Sequence, residues 1–231
     1  SNRFIKILKT NNKNSLAGFG SAKGSNEEAY IFQKLIRTGF KTNNVDHCTR
    51  LCHASSVAAL LQSVGSAAVS APFTTVKDSE CIILIGARPE QNHPVAASYF
   101  KQAVKNGTKL IILDPRKQSL SRYATHHLQF NPGQDLALLN AMIFTIIDEN
   151  LINREYIKNH TEGFKQLEKE IKKFDPALME KLCGIPKEII REVAKIYSKA
   201  KTSIIFWGMG ISQHIHGTQN AFSLINLSLI T

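Results

Sequence analysis

The feature that most constrains this 231-residue sequence lies between Cys81 and Asp114. Cys81-Ile82-Ile83-Leu84-Ile85 is a continuous apolar run broken by Gly86. A helical pattern over residues 95–105 ends at Asn106-Gly107, and residues 109–113 form a second apolar run closing on Asp114-Pro115. Apolar runs without polar alternation read as strands buried on both faces. A span of roughly thirty residues is the size of a βαβ crossover, whose strands are parallel. Such a unit commits the chain to helices packed on both sides of a parallel sheet.

The same alternation extends in both directions. Residues 15–19 read as a short strand, followed by the loop Gly20-Ser21-Ala22-Lys23-Gly24 and a helix over 26–37. Ser25 and Glu28 have capping-box spacing, and Gly39 is a plausible C-terminal cap. A short helix over 55–62 precedes a Ser/Ala/Gly-rich loop ending near Pro72. Further on, residues 126–130 read as a strand, Asn131-Pro132-Gly133 as a turn, and 135–149 as a helix. Two more helices fall at about 153–173 and 186–199, with Pro186 suited to a first helical position. Residues 202–207 are again a buried strand, ended by Gly208-Met209-Gly210, and a final helix starts near Thr218. The fold class is α/β, a doubly wound, mostly parallel sheet of Rossmann-like type. Ligands of such sheets bind beyond the C-terminal ends of the strands, here residues 86–93, 114–117 and 208–217.

Composition excludes several classes. With 43% hydrophobic and 20% charged residues and no repetitive tract, the chain is neither fibrous nor wholly disordered. Its longest apolar stretch, residues 136–147, has the length of a buried helix, so no direct membrane insertion is expected. Cys48, Cys52, Cys81 and Cys183 are too few and too uneven for a disulfide framework, which points to a reducing, cytoplasmic setting. The formal charge of +11 calls for an acidic partner: nucleic acid, a phosphate-rich cofactor or an acidic domain. The densest charge run, residues 165–173, alternates Lys with Glu like a solvated helix face, and no aromatics interleave with basic residues. A basic nucleic-acid-binding module is therefore only a secondary reading, and nucleic acid is not the expected partner. The sequence opens Ser1-Asn2-Arg3 and stops after an apolar helical run, which reads as a piece of a longer chain.

The loop Gly86-Ala87-Arg88-Pro89-Glu90-Gln91-Asn92-His93 lacks G-x-G-x-x-G, which disfavours a simple NAD site. It retains Gly86 for close backbone approach, Arg88 as a phosphate partner and a following helix N-terminus, set against an ordinary strand-to-helix turn. Asp114, flanked by Arg116 and Lys117, is placed to accept hydrogen bonds from a ribose or base, or simply to form an Asp-Pro turn. Asp135, after Gly133 and Gln134, is either a base acceptor or a plain helix N-terminal acid. Gly208, Met209 and Gln213 follow the last strand and could line a ligand, with His214 and His216 read as loop residues.

Asp46-His47-Cys48-Thr49-Arg50-Leu51-Cys52-His53 is the densest group of potential ligands. Zinc sites usually pair two separated doublets, and no second doublet exists. A single thiolate on a soft transition metal is chemically more sensible, with a buried small Cys beside surface His as the plain alternative.

Taken together, these segments resemble the molybdopterin oxidoreductase family of bis-molybdopterin guanine dinucleotide enzymes, within it the formate dehydrogenase alpha subunits. The resemblance rests on Gly20 to Glu28, Asp46 to His53, Asp114-Pro115-Arg116-Lys117, Asn131-Pro132-Gly133-Gln134-Asp135 and Trp207-Gly208-Met209-Gly210-Ile211-Ser212-Gln213, in the family's order. It implies that Cys52 ligates molybdenum or tungsten and that His53 handles a proton. It implies further that Gly86, Arg88, Asn92, His93, Asp114, Arg116, Lys117, Gly133, Asp135, Gly208, Met209 and Gln213 hold the guanine dinucleotide arms. Residues 1–45 would belong to a split α/β domain and residues 46–231 to the molybdopterin guanine dinucleotide-binding domain. An iron-sulfur cluster would sit in an N-terminal domain outside this chain, a further domain would follow it, and an electron-transfer subunit would complete the enzyme. Activity would be two-electron oxidation of formate to carbon dioxide, with a nitrate-reductase-like oxyanion reductase as the alternative. One departure stands out: formate-oxidising members carry Arg in the pattern G-T-x-N-A-R-x-L, where this chain has Phe222. On that reading the phenyl ring faces the metal, formate turnover is weak and Phe222→Arg raises it about tenfold; on the other, Phe222 is an apolar core residue.

Overall fold

A computed structural model describes residues 1–69 and 71–231. The chain divides into two compact units, Ser1–Ala54 and Ser55–Thr231. The boundary anticipated after residue 45 falls inside a strand, because Val45–His47 pairs in parallel with Gly18–Gly20 and keeps the residues that follow with the first unit.

The first unit runs α1 (Asn2–Thr10), β1 (Gly18–Gly20), α2 (Asn26–Lys34), β2 (Val45–His47) and α3 (Thr49–Cys52). The strand expected over 15–19 begins later, since Lys13–Ser15 forms a 3₁₀ turn. The capping box at the start of α2 is formed: the Glu28 amide donates to Ser25 Oγ at 3.3 Å and the Ser25 amide to Glu28 Oε2 at 2.6 Å. Gly39 does not cap this helix in the left-handed conformation. The helix widens instead into a π turn, Leu35–Gly39, and Lys41 takes the positive φ of 55°. Ile36 lies over β1 so closely that a Cβ on Gly18 would approach its Cδ1 to 2.6 Å.

In the second unit, α4 (Ala54–Val64) leads towards a loop that includes Ser70, which lies outside the described residues. Then come β3 (Cys81–Ile85), α5 (Pro89–Asn92), α6 (Pro94–Lys105), β4 (Lys109–Leu113), β5 (His126–Leu128) and α7 (Asp135–Asp148). The order closes with α8 (Arg154–His160), α9 (Phe164–Glu170), α10 (Pro176–Cys183), α11 (Lys187–Lys199), β6 (Ser203–Trp207), α12 (Met209–Ser212) and α13 (Gly217–Leu229). The four strands form one parallel sheet in the order β5-β4-β3-β6.

Alternate residues of the central strands feed two separate cores. Ile83, Ile85, Ile111 and Leu113 pack with the fully buried Leu138, Met142 and Ile143 of α7 and with Ile190 and Val193 of α11. Ile82, Leu84, Leu110 and Ile112 pack on the other face with Phe100 and Leu120. A period of two with apolar residues on both faces is what double winding requires.

Two helical expectations change. The stretch over 153–173 is broken at Gly163, whose φ of 77° starts α9 afresh, and ends in a 3₁₀ turn. Pro186 is the N-cap of α11 rather than its first residue. Among the described residues no helix is long and apolar enough to cross a membrane.

Candidate functional site

In the first unit, β2 delivers Asp46 and His47 to a short turn. Cys48 precedes α3 and Cys52 ends it, half-buried, with His53 next in the chain. The candidate ligands of this segment do not converge. Cys48 Sγ accepts from the Ala22 amide at 3.3 Å, and His47 Nδ1 accepts from the Thr49 amide at 3.2 Å. Among the described residues no three His, Cys, Asp or Glu side chains are grouped to hold a metal ion. A metal here would take one thiolate and draw its other ligands from a group it brings with it. Burial holds the His53 imidazole below its ordinary pKa, in the neutral form that can accept a proton.

In the second unit, the C-terminal ends of β3, β4 and β6 are laced together through glycine. Gly86 has φ 57°; its amide donates to Leu113 O at 3.3 Å, and its carbonyl accepts from the Gly210 amide at 3.0 Å. The Gly208 amide donates to Ile85 O at 3.3 Å. A Cβ on Gly210 would come within 2.6 Å of Gly86 Cα, and one on Gly208 within 2.7 Å of Gly86 O. The close approach anticipated at Gly86 is thus made first to the β6 loop.

Around this edge stand the charged groups. Asp114 Oδ1 accepts from the Arg116 amide at 2.8 Å and Oδ2 from Gln118 Nε2 at 3.3 Å, so the carboxylate shapes its own turn and is held in place by it. Arg116 and Lys117 are exposed. Arg88 is half-buried, and its Nε is buried without a partner. Asp135, the first residue of α7, is 3% exposed. Burial pushes its carboxyl above the ordinary value. The helix amide and the charge of nearby His214 oppose this, and nearby Asp114 adds to it. Asp114, Asp135 and His214 therefore share one neighbourhood. Asn92, His93, Gly133, Met209 and Gln213 are exposed on the loops of this unit.

Sequence reasoning missed two sets of residues. Gln118 joins the β3 and β4 loops. Ser56 and Ser212, both buried, share a 2.6 Å hydrogen bond while Trp207 Nε1 donates to Ser56 Oγ at 2.9 Å and Ser55 Oγ to Ser212 O at 2.7 Å, fastening α4 to α12. Only buried small polar residues flanking a motif could have signalled this. Phe222 is half-buried against Ala59, Leu60, Ala221 and Ile225, beside Trp207, the packing of an apolar helix face.

The molybdopterin oxidoreductase family model matches residues 1–231. The chain belongs to this family. It is 40% identical over its whole length to the F420-dependent formate dehydrogenase subunit alpha of Methanocaldococcus jannaschii, covering 35% of that protein. It is 38% identical over 92% of its length to formate dehydrogenase H of Escherichia coli, covering 30%. The chain thus spans about a third of the length of the curated relatives it matches. The acetylene hydratase structure from Pelobacter acetylenicus superposes with a TM-score of 0.83 over 99% of the chain and 31% of its own, at 23% identity, which places the fold. A molybdopterin cofactor with molybdenum or tungsten goes with the family. The residues present fit such a group: a half-buried cysteine, Cys52, without companion ligands, and a cationic edge with buried polar atoms still unpaired.

Proposed function

We propose that this chain is the metal-ligating and dinucleotide-binding part of a formate dehydrogenase-type catalytic subunit that oxidises formate to carbon dioxide, releasing two electrons and a proton. The observation that carries this is the match to formate dehydrogenase alpha subunits over 92–100% of the chain at 34–40% identity.

Cys52 is the protein's ligand to the metal, as a thiolate at the end of α3. When bound, the bis-molybdopterin guanine dinucleotide centre supplies a two-electron couple in molybdenum or tungsten. His53, neutral because it is desolvated, takes up the proton that formate loses. Arg88, Arg116 and Lys117, with Asn92, His93 and Gly133 on the same unit, meet the pyrophosphate arms, an anionic client for part of the +11 charge. Asp114 and Asp135, with Met209 and Gln213 alongside, face the nucleotide ends, and Gly86 and Gly208 hold the strand ends close enough for these loops to act as one surface. The first unit, Ser1–Ala54, belongs to a split domain, and the second, Ser55–Thr231, to the dinucleotide-binding domain. Further parts of the parent chain carry an iron-sulfur cluster, and an electron-transfer subunit accepts the electrons. Four free cysteines, Cys52 among them, suit a cytoplasmic setting.

The test is metal, pterin and activity analysis of the full-length parent and of its Cys52→Ala variant. Formate-dependent reduction of benzyl viologen is expected in the wild type and lost in the variant. Nitrate-dependent oxidation of reduced viologen without formate activity, or unchanged activity in Cys52→Ala, would overturn the assignment.

A further inference from the structure

Charge is divided unequally between the two faces of the parallel sheet in the second unit. On the face covered by α7 to α11, residues 148–199 carry ten Asp and Glu against eleven Lys and Arg. These charges answer one another: among the described residues every ion pair falls within residues 126–195, as where Arg191 and Lys195 meet Asp148 and Glu149. The opposite face is covered by the 3₁₀ turn Phe73–Asp78, by α6 and by the 3₁₀ turn Ser119–Tyr123. From residue 91 to 125 there are six Lys and Arg and a single carboxylate, Asp114, which is engaged in its own turn. Lys101 and Lys105 stand one turn apart on α6, a like-charge spacing that costs helix stability.

Aromatic rings hold these cations in place. Lys77 Nζ lies 4.8 Å from the centre of the Tyr99 ring, and Lys101 and Arg122 share the Tyr123 ring at 5.8 and 5.0 Å. Phe73 braces Tyr99 edge-on at 4.9 Å. A cation already seated on a ring loses less freedom on docking than a free lysine. Lys77 precedes β3, Lys105 precedes β4 and Arg122 precedes β5. The band therefore follows the N-terminal ends of the strands, at the opposite end of the sheet from residues 86–93, 114–117 and 208–217.

We propose that Lys77, Lys101, Lys105 and Arg122 form a docking surface for the acidic face of a separate, reversibly bound protein. Carboxylates supply the missing counter-charges, and the exposed Arg122 can take one of them bidentately. The rings that could stack bases are occupied by the chain's own cations, which favours carboxylates over a nucleic acid. Val95, at the far end of α6, is the one large apolar side chain exposed among residues 71–125. Permanent interfaces are more apolar than this, so the partner is one drawn in by charge and released again.

The test uses the full-length parent, with fluorescein-labelled poly-L-glutamate as the probe, and reads fluorescence anisotropy at about 50 mM salt. Lys77→Gln/Lys101→Gln/Lys105→Gln/Arg122→Gln is compared with Lys158→Gln/Lys165→Gln/Lys172→Gln/Lys181→Gln, which removes the same charge from the ion-paired layer. We expect the wild type and the second variant to bind alike and the first to bind at least about tenfold more weakly. Equal affinity in all three proteins, equal loss in both variants, or no binding by the wild type overturns the proposal. So does a duplex DNA that at about 150 mM salt is held more tightly than poly-L-glutamate and is released by the first variant, which would make the band a nucleic-acid surface. Thermal midpoints are recorded for all three. If the first variant has unfolded, Lys105→Gln/Arg122→Gln, at two exposed positions, takes its place: the same selective loss supports the proposal, and wild-type affinity overturns it.

Discussion

The two units differ in how much their own residues determine them. In the second, every residue of β3 is at most 1% exposed, and the sheet has a closed core on each face. In the first, Leu16, Ile36 and Thr42 are the buried side chains other than glycine among the described residues, while Phe19 is 82%, Ile31 63% and Leu51 82% exposed. The loops proposed to hold a nucleotide are thus carried by a framework whose packing fixes them beforehand, whereas the cysteine proposed to meet the metal sits on a four-residue helix in the sparsely packed unit. The candidate recognition loops stand on a well-packed sheet edge; the candidate ligand Cys52 is held by short-range turns.

Four measurements bear on that contrast, from the largest effect downward. Cys52→Ala in the parent enzyme should cut formate activity by at least ~1000-fold, about 4 kcal/mol of barrier, while leaving the urea unfolding midpoint where it was. A shifted midpoint would mean the thiol is structural and the contrast overstated. Leu138→Ala, in the centre of α7, should cost about 3 kcal/mol in urea unfolding, whereas Ile31→Ala on the exposed face of α2 should cost less than about 0.5 kcal/mol. Similar costs would erase the difference between the units. Gly210→Ala forces a methyl against Gly86 and should destabilise by about 2 kcal/mol and lower cofactor content together, since the two loops cannot part without opening the edge. Retained stability would show the edge to be pliant.

The smallest effect is electrostatic. Glu149 accepts from Lys195 Nζ at 2.9 Å and pairs with Arg191 at 3.4 Å, and the lysine hydrogen bond holds its carboxyl below the ordinary value. A depressed folded-state pKa contributes stability above the unfolded value of about 4.3, lost as pH falls through the folded one. Glu149→Gln should therefore cost no more than about 0.5 kcal/mol near neutrality, less in salt, and progressively less as pH falls through the folded-state value. A cost that persists in acid would assign the effect to packing.

Much of this molecule could be read from its residues, and the parts that could not share a cause. Cys81–Ile85 and Lys109–Leu113 were legible to the residue because an all-apolar run between glycine and proline signals admits few alternatives. Val45–His47 and Thr49–Cys52 were not, since three or four residues are too short to show a period. Helix Pro176–Cys183 had readable signals, Asp175 accepting from the Ala177 amide at 2.8 Å and Gly184 at φ 75°, lost inside an apparently charged stretch. Asp114 and Gly86 stood out as candidate site residues because they directly follow strands. Gln118 did not: its importance comes from reaching across to Ala87, a contact with no local signature.

The pairing of β3 with β6 places Ile85 beside Trp207, so the first and last strands of the sheet close about 120 residues apart, and closing so long a loop is entropically slow. During synthesis the loop at Gly86 would leave the ribosome long before the Gly208–Gly210 turn that completes it. The edge where these loops meet therefore has no finished form until β6 has been made, and any ligand that needs both loops must wait for that strand.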